Sequence, residues 1–136
     1  MKYAVILARI LLGLGMVLPG LLGLLGMLGI GPMASGETLP GDAGVFMGLL
    51  MSTKYLAVVK LTELLGGLLI LSGRMLPLGL VMVIPVLINI LIFHGAMDPA
   101  GIMPGAILSV LAGVLVWGYR GSFAGILSTR ATPTSG

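Results

Sequence analysis

The chain has 136 residues, of which 58% are hydrophobic and only 8% charged. Soluble domains carry roughly 25% charged residues, so a water-exposed surface is excluded for most of the chain, and the mean hydropathy of +1.22 makes lipid its solvent. The net charge of +3 comes without a basic cluster interleaved with aromatics, which argues against nucleic acid, and the lack of cysteine removes thiol redox chemistry, thiolate metal sites and disulfides.

In hydrocarbon every backbone N–H and C=O must be paired within its own segment or in a closed barrel. The strict alternation of barrel strands is missing, and long apolar runs predict helices. Lys2 followed by apolar residues imitates a signal peptide. Arg9 interrupts that run, however, apolar residues continue to about Ile30, and no small-x-small cleavage site follows. An uncleaved first span over about 4–30 is expected. It carries Gly20, Gly23, Gly26 and Gly29 behind Gly13 and Gly15. A period of three drifts around a helix of 3.6 residues per turn, so these glycines describe a slanting groove for close packing. Pro19 is expected to kink the helix.

Gly31 to Gly41, with Pro32, Glu37 and Pro40, is polar and turn-rich and belongs outside the bilayer. The apolar piece 43–51 is too short to span and is expected either in the interface or partly re-entrant. A second span is expected over 55–72, with Lys60 and Glu63 inside it. Gly73 and Arg74 make a tight turn, and Pro77 suits the first turn of a third span over 77–94. Asn89 lies within that span and His94 near its end. Asp98, Pro99 and Gly101 form the next turn. A fourth span over 102–119 ends at the interfacial aromatics Trp117 and Tyr119 and at Arg120. The small, polar stretch 128–136 is expected to be a disordered tail. The fold class is therefore all-α: a polytopic membrane four-helix bundle.

Charge sets the orientation. With the N-terminus inside, Lys2, Arg9, Arg74, Arg120 and Arg130 fall on the cytoplasmic side, and Glu37, Asp42 and Asp98 fall outside, with Lys54 the one basic residue among them. The positive-inside rule then places both termini in the cytoplasm.

Ionisable residues inside a span are costly, and they usually face the bundle interior and pair there. Lys60 and Glu63, three residues apart, share a helix face. At 1.5 Å per residue Lys60 lies about 8 Å below the outer end of its span, and Asn89 about 8 Å below the rim where His94 sits. If the two spans are antiparallel neighbours, Lys60, Glu63, Asn89 and His94 form one polar cluster in the outer half, and Asp98 joins His94. One reading makes this a proton relay, a substrate pocket or a quinone headgroup pocket, with Glu63 holding the proton, Lys60 tuning it and His94 exchanging protons near the surface. The other makes it a buried ion pair and an interhelical amide bond that fix packing and register, or a Lys60 that snorkels outward. One His and one Glu are too few ligands for a metal, and the scattered Met residues read as packing material.

The segment 55–119 carries Lys60-Leu-Thr-Glu63-Leu-Leu-Gly66-Gly67, Leu71-Ser-Gly73-Arg74 with Pro77-Leu-Gly79, Pro85-Val-Leu-Ile-Asn89 running on to Phe93-His94, Asp98-Pro99-Ala-Gly101, and Trp117-Gly-Tyr119-Arg120. In order and spacing these resemble the DoxX-like family of small bacterial membrane proteins, and Ala8-Arg9-Ile-Leu-Leu-Gly13-Leu resembles that family's opening. The resemblance implies a four-helix bundle of the bacterial inner membrane. It also implies that Glu63, Asn89, His94 and Asp98 stand at family-typical polar positions; members of that family have been linked to thiosulfate–quinone oxidoreduction and to membrane redox or oxidative-stress complexes, and most have no assigned activity. One departure is the run Pro19-Gly20-Leu-Leu-Gly23-Leu-Leu-Gly26, which lacks the aromatic and polar residues usual there.

Three functional expectations follow. The first is an accessory or redox-associated membrane subunit, not an enzyme on its own, working with other membrane or soluble redox subunits and with quinone as the one candidate cofactor. The second is a small proton-coupled transporter acting as a homo-oligomer, although small exporters place their essential Glu in the first span and line their cavities with aromatics. The third is an assembly or packing module without a site.

Overall fold

The computed structural model describes residues 2–33 and 39–134 and is all-helical there. The expected outer loop lies partly outside the described residues, Glu37 included, as does the end of the tail. Helix α1 covers Lys2–Met27, α2 Gly41–Ser52, α3 Tyr55–Ser72, α4 Leu76–Ala96 and α5 Ile102–Gly118, with short 3₁₀ turns at Pro99–Gly101 and Arg120–Phe123. Helices α1, α3 and α4, and the unit formed by α5 with the turn before it, are long and apolar enough to cross a membrane. At 1.5 Å per residue the 18 residues of α3 give about 27 Å and the 21 of α4 about 32 Å, which match a hydrocarbon core of about 30 Å.

Helix α1 continues through Pro19 and stops at Met27, three residues short of the span expected to reach 30. Gly29 is the cause. Its φ of 76° is left-handed, its N–H reaches Gly26 O at 2.9 Å, and the Ile30 N–H reaches Leu25 O at 2.9 Å. This paired closure satisfies the last carbonyls and turns the chain away from the helix axis. The glycines of α1 therefore do not form one groove. Gly13 and Gly20 lie against α3, Gly23 against the stem of Lys60, Gly26 against Met33, and Gly29 ends the helix.

Helix α1 packs on α3, α3 on α4, α4 on α5, and α5 returns to α1. Glycine sets the closest approaches. A Cβ on Gly13 would lie 2.8 Å from Leu71 Cβ, on Gly20 2.8 Å from the Leu64 nitrogen, and on Gly67 2.9 Å from the Val17 nitrogen. The numbers rise along α1 as they fall along α3, so the two helices are antiparallel. Gly66 and Gly79 similarly bring α3 against α4, with a Cβ on Gly79 only 2.8 Å from Gly66 O. Without water to drive apolar burial, such close backbone packing is what holds membrane helices together. Leu12, Met16, Ile70, Leu80, Val83 and Leu115 fill the space between them and are fully buried.

The 43–51 piece is the body of the 12-residue helix α2, which packs on α3 and sets Phe46 against Phe93 of α4 at 5.7 Å between ring centroids. Charge separates by end. Arg9 lies on Gly73 in the α3–α4 turn, beside Arg74, and Gly118, two residues before Arg120, touches Val5 of α1. The other end holds His94, Asp98 and the start of α2 at Asp42.

Candidate functional site

The best-formed polar feature is the ion pair on α3. Lys60 Nζ donates to both Glu63 oxygens, at 2.9 and 3.1 Å. Glu63 is 2% exposed and is the one buried charged residue of the described core. The pair exists because α1 makes room for it. A Cβ on Gly23 would lie 2.7 Å from Lys60 Cδ and 2.9 Å from Cε, so the lysine stem lies along a helix face that has no side chain at that point. One turn earlier, Gly20 sits against Lys60 O and the Leu64 nitrogen. The stem lies along α3 and brings its ammonium to the carboxylate, while the lysine side chain as a whole stays 20% exposed. A buried pair of this kind tolerates low dielectric because each partner neutralises the other, and removing one partner leaves an uncompensated charge.

The second polar feature is at the far end of α4. His94 Nδ1 lies 3.1 Å from Asp98 O and 3.2 Å from Asp98 Oδ2. Phe93 meets the imidazole edge-on at 5.0 Å, and the bare Cα of Gly101 leaves space for the ring. Asp98 thus joins His94, as the turn spacing implied.

Asn89 does not belong to either pair. It is exposed on the outer face of α4, and its Nδ2 donates to Pro85 O at 2.9 Å, four residues back along its own helix. Among the described residues no hydrogen bond or ion pair links Lys60 or Glu63 to Asn89, His94 or Asp98. The single cluster expected from depth alone is therefore two separate pairs and one self-satisfied amide. The antiparallel packing of α3 on α4 is present, but the helical rotation of Asn89 turns it outward, and local bonding to the i−4 carbonyl replaces an interhelical bond.

Two features escaped the sequence. Arg9 of α1 lies across Gly73, whose left-handed φ of 71° ends α3, and the Arg9 Nε is buried without a hydrogen-bond partner. An arginine within an apolar run was the available signal, but its target depends on where the α3–α4 turn packs. The other feature is a lateral groove of about 470 Å³ between α4 and α5. Ile84, Leu87, Ile88 and Leu91 form one wall, and Ala112, Gly113 and Val116 the other, with Ser109, Trp117 and Arg120 also in its lining. Lys60 and Glu63 do not line it.

A quinone headgroup needs donors for its carbonyl oxygens. The Ser109 hydroxyl donates to Gly105 O at 2.8 Å, and His94 is engaged by Asp98. The groove interior is therefore apolar wall, and the side-chain donors left for such a headgroup are those of Trp117 and Arg120 at its mouth. Comparison with known protein families, with curated proteins and with solved structures finds no match.

Proposed function

We propose that the chain is a DoxX-like, multi-pass protein of the bacterial inner membrane that serves as an accessory, non-catalytic subunit of a larger membrane assembly. The four helices form a bundle with both termini in the cytoplasm, and the Lys60–Glu63 pair is a structural lock between α1 and α3. The observation that carries this reading is the closed state of the pair. Both carboxylate oxygens are held by Lys60, the carboxylate is shielded from solvent, and the α4–α5 groove does not reach it. A relay residue needs a route for its proton, and a transporter carboxylate needs a cavity that brings substrate to it. The basic end made of Lys2, Arg9, Arg74 and Arg120 supports the orientation through the positive-inside rule. The spacing of Lys60, Glu63, Asn89, His94 and Asp98 supports the DoxX-like assignment, which associates the assembly with membrane redox chemistry.

The test is reconstitution of the purified chain into proteoliposomes with a pH-sensitive dye inside. The expected result is no proton flux beyond that of empty vesicles, in the native chain and in Glu63→Gln alike. A flux that Glu63→Gln abolishes would move the chain to the transporter class.

A further inference from the structure

We infer that the groove between α4 and α5 is a binding site for one anionic glycerophospholipid of the leaflet at the basic end of the molecule, with an acyl chain in the groove and the phosphate on Arg120. The dimensions fit a single leaflet. From Ser109 to Trp117 the groove follows about 12 Å of α5, and Arg120 lies beyond it, against about 15 Å for half of a 30 Å hydrocarbon core. The groove therefore begins at an interfacial tryptophan and an arginine and ends near the bilayer centre. Its interior suits a hydrocarbon chain and not a polar solute, because the one hydroxyl in it, on Ser109, is already given to Gly105 O.

The mouth carries the selectivity. The Arg120 guanidinium lies over the Trp117 ring, 4.9 Å from its centroid, and Nη1 donates to Trp117 O at 3.0 Å. These contacts hold the planar group at the rim while using one edge of its five-donor fork, and the rest is directed to an oxyanion. Among the described residues no carboxylate pairs with Arg120, and the acidic side chains Asp42, Glu63 and Asp98 lie on other elements. A phosphodiester supplies the missing charge, and a zwitterionic lipid supplies it only in part. This combination of charge and depth favours an anionic lipid over a second copy of the chain, whose own basic end would bring like charge to the same rim.

The test is native mass spectrometry of the purified full-length protein titrated with phosphatidylglycerol or with phosphatidylcholine of identical acyl chains. The native chain is expected to retain phosphatidylglycerol several-fold more strongly. Arg120→Gln should lower that preference about fivefold, the worth of one arginine at an anionic surface, while Arg74→Gln, at the same end but away from the groove, leaves it unchanged. Gly113→Leu should remove the adducts of both lipids by filling the groove. A Cβ there meets nothing within 4 Å and Gly113 is exposed on the groove wall, so the leucine side chain enters the groove, and a native helical circular dichroism spectrum of this variant is the control for its fold. Equal retention of the two lipids by the native chain, an Arg120→Gln variant with the native preference, or adducts undiminished in Gly113→Leu would overturn the assignment. So would a Gly113→Leu variant that changes the number of copies per particle, since the groove would then be an interface between chains.

Discussion

Replacing Lys60 by Met should destabilise the protein more than replacing Glu63 by Leu, and making both changes together should cost almost nothing. Removing one partner of a buried ion pair costs about 3–5 kcal/mol, because the other charge is left uncompensated. The two partners differ in their escape. The Glu63 side chain is 3% exposed and short, whereas the Lys60 side chain is 20% exposed on a flexible four-carbon stem. Lys60→Met strands a carboxylate with no route to water, so its cost belongs near 5 kcal/mol on that scale. Glu63→Leu leaves an ammonium that can swing toward the interface, so its cost belongs near 3 kcal/mol. The double variant Lys60→Met/Glu63→Leu restores a neutral, filled site, and its stability should lie within about 1 kcal/mol of the native chain, since apolar replacements of buried pairs are often neutral or better. The assay is reversible unfolding in detergent, followed by the loss of folded protein across a denaturant series for all four chains. Additive costs in the double variant would refute the reasoning, because they would mean that the two charges do not stabilise each other and that each is held by something else.

Other predictions rest on the same contacts. Gly20→Ala should cost about 1–3 kcal/mol, because its new Cβ meets the Leu64 nitrogen and Lys60 O, which are backbone atoms and cannot step aside. Gly23→Ala should cost less, because it meets only the lysine stem, and Gly113→Ala should gain about 0.5–1 kcal/mol from helix propensity alone; thermal unfolding of the three variants in one detergent ranks them. Gly73→Ala forces an alanine to φ 71° and pushes on the Arg9 guanidinium, so a loss of at least about 1–2 kcal/mol is expected in the same measurement. The chain has no cysteine, which makes single-cysteine labelling clean. Ser122→Cys should react with a membrane-impermeant maleimide only from the cytoplasmic side and Ala100→Cys only from the outside, and the reverse pattern would invert the orientation.

The four apolar helices were legible because run length against bilayer thickness is a one-dimensional property, and Tyr55–Ser72 and Leu76–Ala96 show it well. The end of α1 was legible only to within three residues. Hydrophobicity runs on to Ile30, and the stop depends on a left-handed Gly29 that composition does not reveal. The Lys60–Glu63 contact followed from a three-residue spacing on one helix, and His94–Asp98 from a four-residue spacing across a helix end. Asn89 shows where such reading stops. Depth placed it beside the pair, but rotation about the α4 axis decides which way it faces, and that is set by the Gly66–Gly79 contact between two helices. The role of Gly23 as the bed for the Lys60 stem, and the groove between α4 and α5, likewise depend on contacts between elements distant in sequence.

We propose above that this chain works as a subunit of a larger membrane assembly, with Lys60 and Glu63 serving structure. The most direct measurement is the size and composition of the native particle after gentle solubilisation from the membrane, for the native chain and for Lys60→Met/Glu63→Leu. Both chains are expected to travel in the same particle, several times the 13.9 kDa of one chain and containing other polypeptides. A native chain found alone or only with copies of itself, or a double variant that folds yet is lost from the particle, would contradict it.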